Sequence, residues 1–271
     1  MTRPLTDRLA LIRNRTRVVD NSALFLHELA ANEIKDRLTL VNRAFTAPAI
    51  VSGFPKFWSD VLPTAAHTED NDALCLGDTK HDLVVHAMSL HWANDPVGQL
   101  IQLRRSLRPD GLLLGIFFGG RSLHELRSAL AQAEADLCDG LSPRVAPMGE
   151  IRDLGALLQR AGFALPVADV VPVTTSYETP YHLMKDLRAM GEGNAMTARI
   201  RHFSRRDVFD RAVEIYKHHH TDETGRVSAT FELVFLTGWA PAQGQPEALR
   251  PGSASKRLAD VLGAQEIPLK D

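Results

Sequence analysis

Two apolar runs, Leu83–Ala87 and Leu112–Phe118, constrain this chain more than any other feature. Each is strand-sized and continuous rather than alternating, so each belongs to a strand buried on both faces. Between them, Asp95 can cap a helix whose Val97, Leu100, Ile101 and Leu107 fall mostly on one face, with Asn94 as an alternative cap. The tetrapeptide Arg108–Gly111, "RPDG", reads as the turn that ends this helix. After Gly119-Gly120 a second helix carries Leu123, Leu126, Leu130, Ala133 and Leu137. Strand, helix, strand, helix with continuous apolar strands predicts an α/β protein with a mostly parallel, doubly wound sheet.

The flanks extend the pattern. Leu26, Ala30, Ile34, Leu38 and Val41 predict a helix within 20–43, and Ala47–Val51 a strand closed by Ser52-Gly53. Phe54, Phe57, Trp58 and Val61 then recur at helical spacing. Residues 64–80 carry weak signals for strands at Thr64–His67 and Ala73–Leu76. Helix Met148–Ala161, strand Phe163–Thr175 and strand Ser228–Gly238 follow, with a helical insert at 176–226 that would form a lid. The chain thus divides into a lead-in at 1–46, a main domain at 47–239 and a tail at 240–271 with a short helix at Lys256–Leu262. The first seventeen residues hold five arginines and one acid; Leu5, Leu9 and Ile12 fit one face of a helix, and we read a basic leading arm in preference to an organelle presequence.

Composition narrows the function classes. With 31 Lys and Arg against 33 Asp and Glu, the formal net charge of -2 gives no electrostatic reason for a nucleic-acid partner. Two isolated cysteines, Cys75 and Cys138, build neither a disulfide framework nor a cysteine-rich zinc site. No apolar run is long enough for a transmembrane helix, and the expected location is cytoplasmic or peripheral at the inner membrane. The triplet His218–His220 does not predict a metal site, because consecutive helical positions point about 100° apart. We expect no metal.

The segment "HDLVVHAMSLHWANDPVGQLIQLRRSLRPDGLLLGIFFGG" resembles the second half of a class I S-adenosylmethionine-dependent methyltransferase. With "LHWANDP", "DLGALLQRAGF", "YHLMKDLRAMGEGN" and "SATFELVFLTGWAP", the chain is similar to the family of mitochondrial complex I assembly factor 5 and its bacterial relatives. The resemblance implies a Rossmann-like methyltransferase fold, S-adenosylmethionine as cofactor and a protein side chain as substrate, with a respiratory complex I subunit as the partner. It leaves two alternatives open: a non-catalytic assembly or binding factor that has lost the cofactor, or a protein arginine hydroxylase on the same fold.

Against that resemblance, the glycine-rich turn is eroded to "AIVSGFPKFWSD", where only Gly53 survives and Phe54 and Pro55 replace small residues. Cofactor-binding candidates are Ser52 and Gly53 at this turn and Asp70 as the ribose acceptor. His86, Ser89, Leu90 and Trp92 join them beyond the His81 strand, with Trp92 able to stack on an adenine or a guanidinium. His91 is the candidate general base. An arginine substrate needs a carboxylate, for which Glu192 is the choice, with Asp186 and Glu178 as alternatives. Gly119, Gly120, Tyr181 and Asn194 complete the predicted substrate site. Only about thirty residues separate Gly53 from Asp82, too few for two full strands and two helices, so one element there should be reduced.

Overall fold

A computed structural model describes residues 4–246 apart from positions 20 and 139, together with Ala259, Val261 and Gly263. Six strands form one sheet: β1 (Pro48–Ser52), β2 (Ala66–Thr68), β3 (His81–Ala87), β4 (Leu107–Phe118), β5 (Ala164–Tyr177) and β6 (Val227–Trp239), in the order β2-β1-β3-β4-β6-β5. β1 to β4 run parallel, and β6 lies antiparallel between β4 and β5. The continuous apolar runs have the expected cause. Leu83, Val85 and Ala87 face one core with Leu112, Leu114 and Ile116, while Val84, Leu113 and Phe117 face the other.

The first core is covered by α2 (Phe25–Val41), α3 (Pro55–Val61), α5 (His124–Leu137), α7 (Pro180–Ala189) and α8 (Arg206–His220). The second is covered by α4 (Pro96–Ser106) and α6 (Ile151–Arg160). Asp95 caps α4, accepting from the Gly98 amide at 2.8 Å. The insert predicted as a lid holds α7 and α8, and the histidine triplet closes α8.

Three expectations change. Arg108–Gly111 is no free turn: it runs inside β4 as a bulge between the pairs His81–Leu107 and Leu83–Leu112, and the positive φ of 60° falls on Asp110. In the compressed stretch the strand near Ala73–Leu76 is absent and β2 is three residues long, so β2 ends the sheet. The leading arm is an ordered helix, α1 (Arg8–Arg15), but its buried positions are Ala10, Leu11 and Arg15, while Leu9 and Ile12 are exposed. The face chosen from hydrophobic spacing is thus the wrong one, because a charged residue supplies part of the docking face. Most of the short helix expected at 256–262 lies outside the described residues.

Candidate functional site

The carboxyl ends of the parallel strands create two neighbouring mouths. The first lies beyond β1 and β2, where Gly53, Phe54 and Asp70 meet. The second lies beyond β3 and β4, roofed by α7, α8 and the turn at 191–194.

The first mouth holds Arg15 from α1. Its Nη1 donates to both carboxylate oxygens of Asp70 at 2.8 Å, and Arg8 Nη2 adds a bond at 3.2 Å. The Arg15 and Asp70 side chains are 7% and 4% exposed, so the pair is buried. Burial acts to raise the Asp70 pKa, but Arg15 and then Arg8 overcome it and hold the carboxyl at about 2. The guanidinium carbon lies 5.6 Å from the Phe54 ring centroid. A Cβ on Gly53 would overlap the guanidinium, so a side chain here would fit only by moving Arg15. Ser52 turns inward, its Oγ accepting from the Phe54 amide at 3.0 Å.

The second mouth opens into a cavity of 480 Å³ with walls of Phe118, Leu126, Leu130, Met184, Phe209 and Phe231. Glu192 stands at one end, 6% exposed, and its Oε2 accepts from Trp92 Nε1 at 2.7 Å and lies 3.1 Å from His91 Nε2. Its Oε1 is buried without a partner, as is His91 Nδ1. Burial works to raise the Glu192 pKa, yet the charges of His91 and Arg15 and the Trp92 bond hold it below the usual glutamate range. The His91 ring is fixed edge-on to Phe118 at 5.1 Å. The same cavity is lined by Arg144, which pairs with Glu134, and by Arg188 and Arg206. Glu192 is the one carboxylate among its lining residues, with one oxygen bonded and one buried without a partner, and it is the group there that can meet a cation on an apolar stem.

The predicted residues separate between these mouths and the layers behind them. Asp70 and Gly53 meet in the first, but around Arg15. His91, Trp92, Glu192, Tyr181 and Asn194 line the second. Trp92 lines the cavity and donates its Nε1–H to Glu192. Gly119 and Gly120 do not line the cavity: Val234 and Leu154 fill the space beside Gly119, and Glu232 that beside Gly120. His86 is fully buried on Gln99 Oε1 at 3.0 Å, and burial pulls its pKa down to about 4. Leu90 packs into the second core. The alternatives Glu178 and Asp186 do not line the cavity. Tyr181 faces the cavity from α7 with its hydroxyl bonded to Asp210.

Two residues escaped the sequence reading. Arg15 was one of several arginines in a basic arm, and its partner is 55 positions away. His27, on α2, accepts from Trp58 Nε1 at 3.3 Å, while its Nε2 is buried without a partner. Burial lowers its pKa to about 3, so the ring is neutral in the fold. Leu26 and Ala30 mark the buried face of α2 and were the available signal.

S-adenosylmethionine would need Asp70 for its ribose and Gly53 for close backbone approach. Both are engaged with Arg15, so the residues present in this conformation do not fit the cofactor. Among the described residues, no group of three or more His, Cys, Asp or Glu side chains is arranged to hold a metal, and no helix is long and apolar enough to cross a membrane.

The parallel sheet with β6 inserted antiparallel beside β4, and its ligand mouths at the strand ends, define an α/β protein of the class I methyltransferase fold. The chain belongs to the family of the mitochondrial arginine-hydroxylase NDUFAF5: it is 34% identical to the zebrafish (Danio rerio) protein of that name, over 82% of this chain and 69% of that one. The Dictyostelium discoideum protein is 37% identical over 71% of this chain, but the match spans only 44% of its length. A malonyl-[acyl-carrier protein] O-methyltransferase of Laribacter hongkongensis is 35% identical over 64% of this chain and 56% of its own. No protein-family model matches the chain.

Proposed function

We propose that the chain receives an arginine side chain of a protein partner in the 480 Å³ cavity and meets its guanidinium with Glu192. One observation carries this reading: the buried Glu192 has no partner for Oε1, while His91 and Trp92 engage Oε2. A guanidinium is planar, always charged and weakly hydrated, so it is the cation least costly to bring into such a chamber. Its aliphatic stem would lie against Leu126, Leu130, Met184 and Phe209. Trp92 and His91 fix the carboxylate, and the Glu192 charge orients the guest.

The name of the relatives, arginine-hydroxylase, supports the same guest. The family resemblance supplies the partner, a respiratory complex I subunit; the NDUFAF5 relatives are mitochondrial by name. Engagement with that subunit during assembly is the function this geometry supports best.

The test uses fluorescent peptides from complex I subunits that differ at one position: arginine, lysine or citrulline. Fluorescence anisotropy should show the arginine peptide binding at least about tenfold more tightly than the citrulline one, since the latter keeps the shape and loses the charge. Equal affinity for all three would reject the proposal. Mass spectrometry of the recovered peptide tells binding alone from modification, a gained oxygen marking hydroxylation and a gained methylene marking methyl transfer.

A further inference from the structure

The leading segment is fastened to the loop after β3 and to the chain that follows the turn at 191–194. The Asp7 amide donates to the Ala195 carbonyl and the Thr197 amide to the Leu5 carbonyl, both at 2.8 Å, and Thr6 and Met196 form an antiparallel bridge. The Thr6 amide donates to Asn94 Oδ1 at 2.8 Å, and Asn14 Nδ2 donates to the Gly193 carbonyl at 2.9 Å. The Asp7 carboxylate pairs with Arg199 at 3.0 Å and Arg201 at 3.2 Å. These contacts set α1 across the gap between the loop after β3 and the turn that carries Glu192.

Two glycines make room for it. Gly191 adopts φ +79°, and a Cβ there would come within 3.2 Å of Arg15 Cα. Gly53 lies directly beneath the guanidinium. Phe54, which crowds the turn where a cofactor-binding loop wants small residues, instead presents its ring to that cation. The eroded turn and the ordered arm therefore form one arrangement. Asp70, buried and ionised, requires a cation, and α1 brings one in cis.

We infer that the mouth at the carboxyl ends of β1 and β2 is a guanidinium site filled in cis by Arg15, so that the chain keeps its fold and its neighbouring cavity without an adenosyl cofactor. Asp70, Phe54 and Gly53 are its walls, and α1 is a structural part of the site. This inference does not depend on what enters the Glu192 cavity: a failure of arginine peptides to bind there leaves it intact.

Three measurements test it. Isothermal titration of the full chain with S-adenosylmethionine, and with S-adenosylhomocysteine, should give no saturable heat up to about 1 mM; a Kd below about 100 μM for either ligand would overturn the inference. Arg15→Ala should lower the Tm by about 10 °C, because it leaves a buried carboxylate short of its main partner. Ethylguanidinium at about 20 mM, a concentration suited to a weak fragment, should restore a substantial part of that loss, whereas ethylammonium should not. No rescue, or equal rescue by both, would count against a guanidinium site. Should Arg15→Ala fail to fold, hydrogen exchange on the unmodified chain decides: the amides of Leu11 to Arg15 should be protected, and exchange within seconds would show that α1 is not docked.

Discussion

The two mouths of the sheet use the same chemistry in opposite states. At the first, Asp70 is closed by Arg15 and Arg8, with both carboxylate oxygens engaged. At the second, Glu192 is equally buried and lines a cavity, but one of its oxygens has no partner. A buried carboxylate satisfied within the chain builds structure, while one left half-satisfied beside empty space is ready for a ligand. Asp70 should therefore govern stability and Glu192 binding.

The largest expected effect is on stability at Asp70. Asp70→Ala strands Arg15 without its carboxylate and should cost about 3–5 kcal/mol, read by urea unfolding. Glu192→Gln should cost less, because the amide can still accept from Trp92 and Arg15 keeps its partner Asp70. Equal costs at the two positions would erase the contrast.

Next in size is the dependence on acid. Asp70 holds its proton affinity near pKa 2 in the fold, against an ordinary 3.8, so its contribution is complete above about pH 5 and fades as the pH falls toward 2. That contribution is about 2 kcal/mol at neutral pH. His27 and His86, neutral in the fold down to about 3 and 4, also drain stability as the pH falls below 6.5. The difference between the unmodified chain and Asp70→Asn isolates the aspartate. It should stay level from pH 7 to 5 and shrink below pH 4, and a difference that grows on acidification would contradict the pairing.

Binding effects come third. Glu192→Gln should weaken the arginine peptide by about 10- to 30-fold, the loss of one charge-assisted contact, while Asp70→Asn leaves its affinity unchanged if the variant folds. The smallest effect is steric. Met184→Trp narrows the cavity from α7 and should reduce peptide affinity about fivefold with little change in Tm, since the added volume enters empty space.

Much of this was legible in the sequence where the signal is local. The apolar runs of β3 and β4, the cap at Asp95 and the lid helices are each written in neighbouring residues. His91, Trp92 and Glu192 were selected separately, from a loop and from a glycine-flanked turn, and the fold brings them to one point 101 residues apart in the chain. The function of Arg15 was not legible. Its docking face joins Leu11 to a charged residue, so hydrophobic periodicity selects the opposite face, and a charge pair across 55 positions leaves no periodic trace. The bulge at Arg108–Gly111 misled for a related reason: proline and glycine mark an irregularity, and only the neighbouring strand shows that it interrupts a strand rather than ending a helix.

The contrast between the two mouths is tested most directly by a crystal structure grown with S-adenosylhomocysteine and an arginine peptide at about 1 mM each, a concentration that would fill a micromolar site. The expected result is the Arg15 guanidinium on Asp70, no adenosyl group above Gly53, and the peptide arginine in the cavity against Glu192. Adenosyl density at Asp70 with α1 displaced would contradict it.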